Sequence, residues 1–356
     1  MHTTTFDHAK SERFSERLMG YMNGAAVSLM TSIGHRTGLF DAMHGQAPAT
    51  ADEVARYATL HPRYVREWLD CMVTGGVVEY DAVTARYALP DEHAAWLARA
   101  SAPNNIGVLA QYFPQLGAVE DELVECFHNG GGVPYSSFKR FGEIMAEDSG
   151  QSVLSALFVH ILPLVPGIEA RLEAGIDVLD IGCGRGLALM LMAERYPNSR
   201  FTGYDLLEDA IDWATAEARR RGLAHVRFAA RDLTHFEQPA AFDLVTAFDA
   251  IHDQARPANV LRGVRGALKK GGVFLMQDIA GSSHVHRNMD QPIAPLLYTV
   301  SCMHCMTVSL AQGGDGLGTM WGEERAQKML AEAGFGTIAV HRLPHDIQNC
   351  YYVCRP

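Results

Sequence analysis

Positive charge is scarce in this chain. Lys and Arg number 30 against 41 Asp and Glu, a formal net charge of −11 over 356 residues. A large nucleic-acid footprint needs the opposite balance and is excluded, although a local basic patch is not. Long apolar runs are also missing, so no membrane-spanning helix is expected. The stretch Met1 to Arg17 is polar and charged, without the apolar centre of a secretion signal. The seven cysteines are scattered and odd in number. Together these absences point to a reduced, cytoplasmic protein. Repeats and low-complexity tracts are lacking. What the chain has in quantity is apolar: 48% hydrophobic residues against 20% charged, a soluble globular balance. Its length is enough for two domains with a sizeable core.

The stretch Asp180-Ile181-Gly182-Cys183-Gly184-Arg185-Gly186 organises the rest. It follows an apolar run (Ile176, Val178, Leu179, Ile181) that reads as a buried parallel strand. It precedes a helical run, Leu187 to Tyr196, that Pro197 closes. Strand, glycine turn and helix open a doubly wound α/β sheet, which binds ligands at the carboxyl ends of its strands. The glycines are spaced GxGxG, not the GxGxxG of a dinucleotide site. Asp180, just before the turn, would repel a pyrophosphate but suits a cation or a set of hydroxyl and amine donors.

Further acids follow at strand ends. Phe201 to Asp205 reads as a second strand ending in an acid that can accept from ribose hydroxyls. Val226-Arg227-Phe228 reads as a third, followed by Asp232 and Leu233. Phe242 to Phe248 reads as a fourth, with Asp249-Ala250-Ile251-His252-Asp253 after it. Four such matches in order resemble the class I S-adenosylmethionine-dependent methyltransferases. That resemblance implies S-adenosyl-L-methionine as cofactor. It implies cofactor-binding roles for Asp180, Gly182, Cys183, Gly184, Gly186, Asp205, Leu206, Asp232, Leu233, Phe248 and Asp249. Cys183 reads as a small packing residue rather than a nucleophile. A nicotinamide oxidoreductase would share Asp205 but not the glycine spacing or Asp232.

The N-terminal region reads as helices with a hairpin. Apolar residues from Phe14 to Met43 recur near the helix period. Thr50 and Glu53 form a capping-box signature. Pro62 to Val73 reads as a further helix, carrying Val65, Trp68, Leu69 and Met72. Val77 to Tyr80 and Arg86 to Pro90 read as two strands. This is a winged-helix pattern over residues 1–100. Its candidate recognition helix mixes Arg63 and Arg66 with Glu67 and Asp70, a poor DNA-reading face. Small-molecule O-methyltransferases with such a module, which the chain resembles over nearly its whole length, use it to form homodimers. The alternative is a transcriptional regulator whose α/β domain senses a ligand.

Residues 101–172 read as helical, linking the domains, and the resemblance makes them one wall of a substrate pocket that includes Phe138. The α/β domain is expected over 173–356. Pro257 to Lys269 reads as a helix with its cations at the C-terminal end, and Val273 to Ile279 as the fifth strand. Ile338 to His341 and Cys350 to Cys354 complete a seven-stranded Rossmann-like sheet with a reversed last strand. The long segment 280–322 reads as an insertion forming pocket wall and lid, with Tyr298, His304 and Trp321 as candidate substrate contacts. Cys302, His304 and Cys305 lie close together there, but the paired C-x2-C arrangement of structural zinc is missing, so no metal is expected.

Removing a proton from a hydroxyl acceptor calls for a base titrating near neutral pH. His252 is the candidate. Plant phenolic O-methyltransferases place their base in a His-Asp-Trp or His-Asn-Trp motif at this location, whereas this chain has His252-Asp253-Gln254, without the tryptophan. The expected substrate is a small aromatic or apolar hydroxyl compound.

Overall fold

The structure, a computed structural model, describes residues 6–356. Contacts divide the chain into two units, one ending at Pro114 and one running from Gln115 to Pro356.

The first unit opens on the helix His8–Thr37, capped by the Asp7 side chain, which accepts from the Lys10 N–H at 2.9 Å. Gly38 ends it in the left-handed conformation, and Leu39–Met43 follows as a separate short helix. The expected single run to Met43 is therefore two helices. Ala51–Ala58 has the expected capping box: Glu53 N–H donates to Thr50 Oγ1 at 3.3 Å, and Thr50 N–H to Glu53 Oε2 at 2.8 Å. Pro62–Thr74 buries Val65, Trp68, Leu69 and Met72. The wing is β1 (Glu79–Asp81) antiparallel to β2 (Arg86–Ala88). It is shorter than expected because Val77 and Val78 both donate their N–H groups to Met72 O, closing the preceding helix instead of joining the ladder. On the Pro62–Thr74 helix, Arg63 pairs with Glu67 at 2.5 Å and Arg66 lies 3.8 Å from Asp52. Both arginines thus have acidic neighbours on this exposed face.

The second unit is built on a seven-stranded sheet in the order β5-β4-β3-β6-β7-β9-β8. The strands are β3 (Asp177–Ile181), β4 (Arg200–Asp205), β5 (Val226–Ala230), β6 (Phe242–Phe248), β7 (Leu268–Ile279), β8 (Thr337–Leu343) and β9 (Asp346–Arg355). From β5 to β7 neighbours are parallel, and β9 runs antiparallel to both β7 and β8. The reversed last strand thus enters between β7 and β8. Side chains alternate between two apolar cores: Val178, Leu244 and Leu275 face one, and Leu179, Val245 and Phe274 the other. Burial on both faces is the condition for a parallel sheet.

Two expectations change here. The helix before β7 stops at Ala267, and Lys269 belongs to the strand. Its ammonium bridges Asp177 (2.6 Å) and Asp243 (2.7 Å) at the starts of β3 and β6, rather than capping the helix. The insertion 280–322 is largely helical. Ala294–Ala311 is one continuous helical run, with a π turn at Ser301–Cys305. By length and composition alone this run could cross a membrane, contrary to the expectation of no such segment. It buries His304, Cys305, Thr307, Val308 and Ser309 in its second half.

Candidate functional site

The carboxyl ends of β3, β4, β5 and β6 open into a cavity of about 560 Å³. Every residue expected to bind the cofactor lines it, from Asp180 and the glycine turn to Phe248 and Asp249. The turn works by backbone geometry. Gly182, Gly184 and Gly186 all have positive φ. A Cβ at Gly182 would meet Ala250 Cβ at 2.4 Å, and one at Gly186 would strike the Phe228 ring at 2.3 Å. A Cβ at Gly184 would meet nothing within 4 Å. That glycine leaves a cradle open toward the cavity.

Acids line this end. Asp205 Oδ2 accepts from Gly184 N–H at 2.8 Å and Oδ1 from Leu207 N–H at 2.9 Å, with lone pairs to spare. Burial raises its pKa despite those donors. Asp180 is fully buried, which pushes its pKa up to about 7, although Thr246 Oγ1 donates to it at 2.6 Å. Asp232 is held below the usual range by the Thr234 N–H, at 2.8 Å. Burial of the Cys183 thiol raises its pKa far above the ordinary value, which suits a packing role. Over the whole cavity, the acids Glu143, Asp180, Asp205, Asp209, Asp232, Asp249 and Asp253 outnumber the lining cations Lys139, Arg185 and Arg231. The open cradle, the bidentate acid and the acidic balance fit a cationic ligand with ribose hydroxyls, and do not fit a pyrophosphate.

The other end is formed by the helices before β3 and by the insertion. Its polar atoms are differently placed. His304 is fully buried and stacks flat on Phe141, ring centroids 3.4 Å apart, with the Phe138 edge at 4.7 Å. Neither ring nitrogen has a hydrogen-bond partner. Burial lowers its pKa to about 4, so the ring is neutral. Asp253 faces the same space: Tyr135 Oη donates to its Oδ2 at 3.3 Å, and His304 Nδ1 lies 4.0 Å away.

His252 does not line the cavity. It lies behind Asp253, 3% exposed, with Nδ1 2.8 Å from Asp278 Oδ1 and Nε2 3.3 Å from Asp253 Oδ1. Burial alone would lower its pKa, but the two carboxylates override burial and hold it well above the ordinary value. The expectation of a histidine facing the cavity is thus corrected: a carboxylate stands between. Asp249, at φ 50°, takes a Gln277 Nε2 donor at 3.0 Å and leaves Oδ1 unpartnered. Burial raises its pKa strongly.

Phe138 and His304 line the cavity as expected; Tyr298 and Trp321 do not. Tyr298 Oη accepts from Asn288 Nδ2 at 2.9 Å, within the insertion. Trp321 is buried, and its indole N–H donates to Asp278 Oδ1 at 3.0 Å. The polar ends of both aromatics are used within the protein. Asp253, Asp278 and Tyr135 were not among the site residues expected. Each carried a signal: Asp253 and Asp278 as acids at or after a strand end, and Tyr135 as the first residue of the aromatic stripe Tyr135, Phe138, Phe141 and Met145 on the expected pocket wall.

The comparisons with known proteins agree with this geometry. Residues 172–334 match the family described as methyltransferase domain, and residues 25–99 match the Rv2258c-like winged HTH domain. The chain joins a winged helix to a class I methyltransferase domain. The chain is similar to (S)-coclaurine N-methyltransferase of Thalictrum flavum subsp. glaucum, 26% identical over 111 residues, 31% of each chain. It is also similar to a ubiquinone biosynthesis O-methyltransferase of Leptothrix cholodnii, 34% identical over 104 residues, 28% of this chain and 43% of that one. The chain spans less than half the length of these curated relatives. Among solved structures, human N-acetylserotonin methyltransferase in complex with SAM matches with a TM-score of 0.67 and 16% identity, covering 100% of this chain and 99% of that one. At this identity the likeness is one of fold.

Proposed function

We propose that the chain is an S-adenosylmethionine-dependent methyltransferase of a small molecule, acting on a hydroxyl of an aromatic or apolar compound. When bound, the cofactor supplies an electrophilic methyl on a sulfonium. Asp205 would hold the ribose hydroxyls, Asp232 the adenine amine, and the Gly184 cradle the closest backbone approach. The acidic lining favours the cationic cofactor over its neutral product side.

The observation that carries the acceptor chemistry is the buried array Asp253–His252–Asp278. Asp278 fixes the imidazole, and Asp253 presents the array to the cavity. With His252 protonated the three groups carry one net negative charge, so together they can take one proton from the acceptor hydroxyl. His304, neutral and unpartnered, can donate to or accept from the acceptor. Phe138 and Phe141 support apolar contacts and water exclusion around it. A base so arranged contributes about 10²- to 10⁴-fold in rate.

The first test is calorimetric titration with S-adenosylhomocysteine, on wild type and on Asp205→Ala. Tight binding lost on substitution is the expected result; no binding by the wild type would overturn the reading. The winged helix is read as a homodimerisation module, supported by the apolar side chains that His8–Thr37 exposes: Phe14, Met19, Tyr21 and Met22 are each more than half exposed in the single chain. Light scattering should give twice the 39.0 kDa chain mass, and charged substitutions at Met19 and Met22 should give the monomer. The acidic partners of Arg63 and Arg66 leave the regulator reading without a supporting contact.

A further inference from the structure

Trp321 comes from the insertion, yet its polar atom is spent on the proton array. Asp278 Oδ1 receives three groups at once: His252 Nδ1 at 2.8 Å, Ile279 N–H at 2.9 Å and Trp321 Nε1–H at 3.0 Å. Asp278 Oδ2 is buried and has no partner. All contacts therefore fall on one oxygen of a fully buried carboxylate. The indole and the amide can only donate, so this oxygen is an acceptor, and an acceptor facing Nδ1 calls for the proton on Nδ1. Nε2 is then the nitrogen turned toward Asp253.

The tryptophan is itself held in place. Its N–H donates to Gly318 O at 3.2 Å and its carbonyl accepts from Ser283 Oγ at 2.6 Å. A Cβ at Gly322 would lie 2.0 Å from Ser283 N, so the turn after Trp321 packs with no room for a side chain. A buried indole N–H needs some acceptor, and a backbone carbonyl would serve. This one instead uses the carboxylate that orients the array.

We propose that Trp321 is a positioning residue: its indole N–H pins Asp278 Oδ1, which sets the tautomer and strength of the Asp278–His252 contact and ties the insertion to the proton array. The proposal rests on the array as the proton acceptor. Losing the indole donor leaves the Asp278 charge less stabilised. A less stabilised carboxylate pairs more strongly with the imidazolium, so the His252 pKa should rise. The other groups facing His252 and Asp278 are Asp249 and Asp253 after β6, Cys305 and His304 in the insertion helix, and Cys350 and Tyr352 on β9. All remain in the variants below.

The test is a pH titration of the full chain with ¹⁵N-labelled histidine, followed by NMR, with His252 assigned from His252→Ala. It needs no methyl acceptor. In Trp321→Phe the His252 pKa should rise by about half a unit to one unit. In Asp278→Asn it should fall. Replacing Trp321 by benzothienylalanine, which keeps the shape but has sulfur in place of N–H, should reproduce the Trp321→Phe shift even if phenylalanine destabilises the fold. Unchanged His252 titration in both Trp321 variants, with a shift in Asp278→Asn, overturns the positioning role and leaves the array intact. No shift in Asp278→Asn overturns the array itself.

Discussion

The two ends of the cavity are built on different principles. At the cofactor end, the polar atoms are largely satisfied by the protein. Asp205 takes two backbone N–H groups, Asp180 takes the Thr246 hydroxyl, and Asp232 takes the Thr234 N–H. At the acceptor end, both His304 nitrogens are buried without a hydrogen-bond partner among the described residues, and Asp253 Oδ1 has only the His252 Nε2 ion-pair contact at 3.3 Å. A satisfied carboxylate is rigid and preformed, whereas a buried orphan costs about 1 to 3 kcal/mol until something pairs with it. One end is set by the chain, and the other is completed by what binds there.

The sharpest way to break this contrast is at the proton array. His252→Ala should lower methyl transfer by about 10²- to 10⁴-fold once an acceptor is found. S-adenosylhomocysteine affinity should stay within about threefold, since the ring does not line the cavity. Collapse of cofactor binding in this variant would show that the two ends are not separable. Asp205→Ala makes the complementary cut. Hydrogen bonds to a charged group are each worth about 1.5 to 3 kcal/mol, so affinity for S-adenosylhomocysteine should fall about 100-fold. Calorimetry reads this directly, and a tenfold loss or less would place the ribose hydroxyls elsewhere.

The same division decides what the sequence made legible. The cofactor end depends on local rules: a strand, a turn that demands glycine, an acid at the next strand end. Those rules placed every expected cofactor residue on the cavity wall. The acceptor end depends on long-range packing. That His304 would stack on Phe141, or that Asp253 would screen His252 from the cavity, is written in no spacing. Tyr298 and Trp321 were read as pocket aromatics because a lid favours them, but Asn288 and Asp278 take their polar atoms. The wing was shortened by a similar effect: Val77 and Val78 have strand-forming side chains, and the helix end at Met72 captures their N–H groups.

His304 offers a pH test of the acceptor end. Its folded pKa, about 4, is depressed below the ordinary 6.5 by burial. The unfolded chain therefore binds a proton in that interval and the folded chain does not. Stability from this residue is present above about pH 6.5 and is lost as pH falls toward 4, by up to about 3 kcal/mol. His304→Gln lacks this loss. The wild-type advantage in melting temperature should shrink between pH 7 and pH 4.5. A constant difference would mean that the ring is paired or hydrated in solution, and the contrast between the ends would weaken.

The smallest effect separates two glycines of one turn. Alanine at Gly184 carries only the left-handed backbone penalty, about 1 to 2 kcal/mol, because its Cβ enters open space. Alanine at Gly182 carries that penalty and also a Cβ–Cβ approach of 2.4 Å to Ala250. Overpacking adds about 1 to 3 kcal/mol more, so Gly182→Ala should melt lower by several degrees. Ligand binding should rank them differently. Gly184→Ala keeps most of the fold yet fills the cradle where the cofactor backbone approach is proposed, so S-adenosylhomocysteine should not bind it. If Gly184→Ala melts near the wild type and still binds the ligand, the open cradle faces solvent rather than the cofactor, and this end is less preformed than its satisfied carboxylates suggest.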